Sequence, residues 1–215
     1  AGAFYYGTNR IYNSSLKANT SYSDGGVLFE GVNTVVDSSL FNNFVATDDY
    51  NNQGGVARGG DNTYKNCLIY GNTSRHSGVI NNGTQRFYNS KIYDNYAEQY
   101  GGIMHGGTAE FYSSEIYGNI APGGVFHGGT RLFVNCLIRD HSDILIQYGE
   151  NIIINSTFVN NSQHVYLDDR DPSYGANHGV FYADNSIFVG DFDSGLEHDS
   201  TTVNSCIFTD TSLPE

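Results

Sequence analysis

Three groups of side chains in this sequence have the types and spacing for chemistry. The first is aromatic: Phe41, Tyr70, Tyr93 and Tyr117 each follow an aliphatic residue at similar points of successive segments, and Tyr88 and Tyr112 each follow a phenylalanine. Aromatics that recur once per segment on an outward face make a flat amphipathic strip, suited to sugar rings or to a protein partner. Tyrosine is also a good strand residue that stacks on itself, so the same pattern serves stability. The second group is His105 and His127, in "MHGG" and "FHGG". Two imidazoles in equivalent places suit a metal or a proton transfer, but Tyr5, Phe29, Arg58, Asn81 and Gln147 fill the same column, which reads as a tolerant surface position. The third is acidic: Asp168, Asp169 and Asp171 in "LDDRDPSYGANHG" offer carboxylates to Ca²⁺, which takes several oxygens. That stretch has no EF-hand or RTX spacing, which favours a solvated acidic loop over a metal site. Asp48 and Asp49 in "TDDYNNQ" are a weaker case.

The elements that position these groups are repeats. Ser14, Ser38, Cys67, Ser90, Ser114, Cys136, Ser156, Ser186 and Cys206 mark nine units, spaced 20 to 30 residues apart. Before each marker stands Asn, Asp or Ser, and two residues after it stands Leu, Ile or Phe, from Leu16 to Phe208. Seven residues before the first seven markers stands a glycine, from Gly7 to Gly149. A second asparagine column runs through Asn19, Asn43, Asn72, Asn95 and Asn119. The internal period is 2, and Gly and Asn punctuate the short strand-like runs. The expected fold is all-β: a right-handed parallel β-helix, a solenoid of about nine rungs forming one domain over residues 1–215. The hand follows from unit length, because left-handed hexapeptide coils close in about 18 residues. Nine rungs make a rod of roughly 43 Å. Inward Leu, Ile and Phe fill its interior, Asn takes left-handed backbone at a bend, and the glycine marks a corner of positive φ.

Composition agrees. The chain of 215 residues holds 26 Gly, 17 Tyr and no Trp, and its net charge is −13. That charge argues against nucleic acid or an anionic membrane as partner. No apolar run is long enough to span a bilayer. The opening "AGAFYY" has no Met, basic or apolar leader region, and reads as the start of a segment of a larger surface protein. Cys67, Cys136 and Cys206 lie three rungs apart, about 14 Å, beyond disulfide reach, and read as small buried residues interchangeable with Ser.

Two motifs carry a resemblance. Gly25-Gly26-Val27, Gly54-Gly55-Val56, Gly101-Gly102-Ile103 and Gly123-Gly124-Val125, with Ser77-Gly78-Val79 a near match, form the first. The second is Leu40 to Asn43, Ile69 to Asn72, Ile92 to Asn95, Ile116 to Asn119 and Phe158 to Asn161. Together they resemble the GGAI and FxxN repeats of chlamydial polymorphic outer-membrane proteins and the repeats of adhesin-like surface proteins of methanogenic archaea. The resemblance covers residues 2 to about 165 well and the last two rungs loosely. It implies a passenger-type β-helix on a cell surface, working in adhesion; the function expected is extracellular, non-catalytic binding of carbohydrate or another cell's surface. The competing expectation is a polysaccharide lyase or glycoside hydrolase of the pectin-lyase-like fold, since one fold hosts many functions. Its best seed is Arg170 between Asp169 and Asp171; in the central rungs aspartates do not stack in one column. Six N-x-Ser/Thr sequons, at Asn13, Asn19, Asn72, Asn82, Asn155 and Asn160, are acceptors for glycans in a host that makes them.

Overall fold

A computed structural model of the chain describes residues 2–23, 25–46, 54–166, 180–190 and 201–209. These form an all-parallel β-solenoid in which each strand pairs with its equivalent one coil away. Sheet 1 has eight strands, from Phe4–Tyr5 to Gln163–Tyr166. Sheet 2 has nine, from Thr8–Tyr12 to Thr201–Asn204, and sheet 3 has nine, from Ser15–Lys17 to Ile207–Thr209. Sheet 4 joins Thr20–Ser21, Phe44–Val45, Thr73–Ser74 and Tyr96–Ala97. The nine units of the sequence thus each give a strand to sheets 2 and 3. Among the described residues no helix is long and apolar enough to cross a membrane.

The columns have the causes their chemistry suggests. In sheet 3 the inward residues Leu40, Ile69, Ile92, Ile116, Ile138, Phe158 and Phe188 are buried. In sheet 2 the inward rings of Tyr64, Phe87, Phe111 and Phe133 stack at 4.7, 4.9 and 5.1 Å between centroids. The bend residue before each marker, from Asn13 to Ser205, has φ between 47° and 56° in all nine coils. This is the left-handed region that Asn and Asp tolerate best among non-glycines. In the glycine column, Gly7 through Gly149 have φ between 74° and 85°. The Gly-Gly motif answers a different demand. A Cβ on Gly26, Gly55 or Gly78 would strike the carbonyl oxygen of the glycine stacked on the next coil, so the repeat excludes side chains where backbones approach closest.

The deepest polar ladder is the second asparagine column. Asn72 donates to Asn95 Oδ1 through both its backbone N–H (3.0 Å) and its Nδ2 (2.9 Å). Asn19, Asn43 and Asn95 bond to the next asparagine in the same way. Nδ2 of Asn43, Asn72 and Asn95 also donates to a strand carbonyl of the preceding coil, Leu16, Leu40 or Ile69. The sixth coil substitutes His141. Its Nδ1 lies 2.9 Å from Asn161 Oδ1 and its Nε2 3.4 Å from Asn119 Nδ2. The neutral tautomer with the proton on Nδ1 satisfies both contacts and keeps the ladder's polarity.

The marker column works similarly. Ser90 Oγ accepts from Cys67 N at 3.1 Å and donates to Tyr88 O, and Ser156 Oγ accepts from Cys136 N. Cys67, Cys136 and Cys206 are free thiols, and Cys67 and Cys136 are buried. Burial pushes the Cys136 thiol up to about 11, so it is no nucleophile at neutral pH.

Asn95→Ala should cost roughly 3 kcal/mol in chemical denaturation, because it removes the acceptor of the buried Asn72 N–H and of one Asn72 Nδ2 proton, and the Nδ2 donor to Ile69 O and Asn119 Oδ1. Cys136→Ser should stay within about 1.5 kcal/mol of the parent, since serine already fills this column one coil to either side. A larger effect at Cys136 than at Asn95 would invert the account of which column bears the fold.

Candidate functional site

The aromatic strip forms on the outside of sheets 2 and 3. Phe41, Tyr70, Tyr93 and Tyr117 are in strict register, with centroids 4.8, 4.9 and 4.9 Å apart and planes within 7°. The Arg139 guanidinium caps the column 4.2 Å above the Tyr117 ring. Tyr88 and Tyr112 stack at 4.9 Å on sheet 2, with the Lys65 ammonium 5.6 Å from the Tyr88 ring. All six aromatics are half-buried. Face-to-face stacking has a chemical consequence: each ring covers its neighbour's faces, so the columns present ring edges and phenol hydroxyls to solvent. Burial and the neighbouring phenols raise the pKa of Tyr93 further above its ordinary value, so its hydroxyl is a neutral donor and acceptor at physiological pH.

Charges around the strip are spent on one another. Glu115 lies 2.8 Å from Lys91 and 2.7 Å from Arg139, and Arg86 lies 2.5 Å from Asp61 and 3.6 Å from Glu110. Hydrogen bonds from Lys91 and Arg139 hold the Glu115 carboxyl below the usual carboxylate range. A carboxylate held ionised by two cations is poorly placed to act as a general acid.

His105 and His127 are stacked as their shared column requires, with centroids 5.1 Å apart and planes 15° apart. The position is not an open surface, however: Phe29, Asn81 and His127 in the same column are buried. Residues from the loop after sheet 4 cover it. His76 is 1% exposed and lies 6.0 Å from His105, while Tyr100 packs 4.7 Å from His127. His76 and Tyr100 share a column too, each standing directly before a Ser-Gly or Gly-Gly pair, which is the signal in the sequence that would have found them. Burial, with repulsion from His105 and Arg75, pushes His76 down to about 4. Burial, with His105, Arg131 and His76, does the same to His127, and burial also lowers His105. At neutral pH the cluster is a set of packed neutral rings. Among the described residues no group of three or more His, Cys, Asp or Glu is arranged to hold a metal ion.

Asp168, Asp169, Asp171 and Arg170, with Asp48 and Asp49, lie outside the described residues. Of the sequons, Asn13, Asn82, Asn155 and Asn160 are exposed, whereas Asn72 is buried in the ladder and closed to glycosylation in the folded chain. Comparison of the chain with family models, with curated proteins and with solved structures gives no match.

The histidine cluster fixes a pH dependence. His76 and His127 bind protons less readily in the folded state, near pH 4, than at the ordinary histidine value of 6.5. Between these values the unfolded chain holds more protons, so stability rises with pH there and is fully present above about 6.5. The melting temperature should therefore fall as pH drops from 6.5 to 4.5, before most carboxylates titrate. His76→Gln with His127→Gln should flatten that slope; the same slope in this variant would place its origin elsewhere.

Proposed function

We propose that the chain is a non-catalytic, adhesin-like β-solenoid that works outside the cell and binds carbohydrate, on glycans or on another cell's surface, along sheets 2 and 3. The observation that carries this reading is the in-register column of Tyr70, Tyr93 and Tyr117, which repeats one phenol edge every 4.9 Å along the rod. A ligand cannot lie flat on these rings, because their faces are taken. It meets a row of hydroxyls that donate and accept, alternating with ring C–H edges, which suits the hydroxyl-rich rim of an extended, repetitive glycan. Each contact is a neutral hydrogen bond of modest worth, so affinity comes from the number of coils engaged.

The electrostatics support the same class of ligand. The chain carries a net charge of −13, yet the outward strand residues of sheets 2 and 3 hold Arg10, Lys17, Lys65, Arg86, Lys91 and Arg139 against Asp61, Glu110, Glu115, Glu150 and Asp184. This face is close to neutral on an acidic protein, which favours a neutral ligand over a polyanion or polycation. The resemblance of the repeats to surface adhesins points the same way.

A glycan array probed with the purified chain tests the reading, followed by Tyr70→Phe, Tyr93→Phe and Tyr117→Phe together. The triple variant keeps the stacked rings and removes only the hydroxyls. It should fold as the parent does, and its affinity for the best glycan should fall roughly tenfold or more. Undiminished binding would remove the strip from the site. Binding that a chelator abolishes would move it to the acidic segment around Asp168.

A further inference from the structure

Sheet 2 has a polar column on its inner side that the apolar core does not explain. Asn9, Asn33, Asn62 and Gln85 are in register and linked by amide hydrogen bonds of 2.7, 2.6 and 2.9 Å. Gln85 ends that chain by donating to Gly59 O and Asn82 O. The next coils place Ala109, Arg131 and Asn151 in the same column. Ala109 offers only a methyl where the coils before it carry an amide, and Arg131 follows it with 0% of its surface exposed.

Arg131 is the only Lys or Arg buried among the described residues, and no Asp or Glu is buried with it. Its Nη2 donates to Tyr148 O and Gly129 O. Its Nε and Nη1 are buried and find no acceptor among the described residues. Burial lowers its pKa to about 9, still above neutrality, so the guanidinium remains charged. A buried cation with neither counter-charge nor full hydrogen bonding is among the costliest arrangements a fold can hold, and it is relieved by pairing.

We propose that the solenoid interior beside Arg131 binds a small inorganic anion of the chloride class, held by the Nε and Nη1 protons. The ion supplies the charge that the coil lacks, at the place where Ala109 interrupts the amide ladder. Asn151 Oδ1, also buried without a donor, accepts a hydrogen bond from a water that completes the ion's shell. The site is internal and independent of the outer tyrosine strip, so its fate and that of the proposed function are separate.

Melting curves of the whole chain in sodium chloride and in sodium gluconate, at equal ionic strength, provide the test. With chloride the melting temperature should rise by about 3–5 °C for each tenfold increase above the dissociation constant. Gluconate, too large to enter, should give no such rise. Arg131→Met, which keeps volume and removes charge, should fold and lose the chloride dependence. Crystals grown in sodium bromide should show an anomalous peak within hydrogen-bonding reach of the guanidinium, a readout that needs no variant. Equal melting in the two salts, or a bromide map with no peak at Arg131, would overturn the proposal.

Discussion

In a parallel solenoid no coil can satisfy itself. In the described coils the strand N–H groups and the asparagine ladder find their partners one coil away, at the spacing of neighbouring strands. This constraint makes the protein repeat its chemistry in columns. An asparagine whose backbone and side-chain N–H groups both donate to the next asparagine calls for another acceptor there, and from Asn19 to Asn119 asparagine supplies it four times running. Where the sequence departs, the replacement is one that preserves polarity: His141 can present an acceptor on one side and a donor on the other.

The same constraint shapes what the surface offers. Register that aligns Ile92 over Ile69 also aligns Tyr93 over Tyr70, so outward aromatics are forced face to face. A column of tyrosines on this fold is therefore a rail of edges and hydroxyls, unlike the open ring platform of a typical sugar site. Stacking helps the rod and limits the ways in which a ligand can use it. Chemistry that is not repetitive must sit where columns break, and the described coils include the Ala109–Arg131–Asn151 interruption and the His76, Tyr100, His105 and His127 cluster among such places.

Much of the fold was legible in the sequence because columns are written in it at nearly constant spacing. The marker serines and cysteines, the left-handed Asn and Asp bends, and the inward Leu, Ile and Phe all fall where period 2 and turn chemistry put them. The outward Tyr70, Tyr93 and Tyr117 were legible from parity alone; that their faces are covered needed three dimensions. Arg131 was illegible for a related reason. A lone arginine reads as surface, although parity with the inward Phe133 and register with Gln85 and Asn33 both turn it inward. His76 and Tyr100 were missed because they lie on the loop before sheet 1, which packs against the sheet 1 strand of the following coil.

Amide hydrogen exchange at Asn43, Asn72 and Asn95 tests the central claim most directly. These N–H groups lie between strands, in stretches that would exchange freely on an ordinary turn, and here each donates to the carboxamide oxygen of the next coil. The account predicts protection as high as that of the strand amides in Thr84–Tyr88 and Thr108–Tyr112, because opening one rung breaks the column. Exchange at the rate of exposed turn amides, with the strands still protected, would contradict it and leave the backbone sheets to carry the solenoid alone.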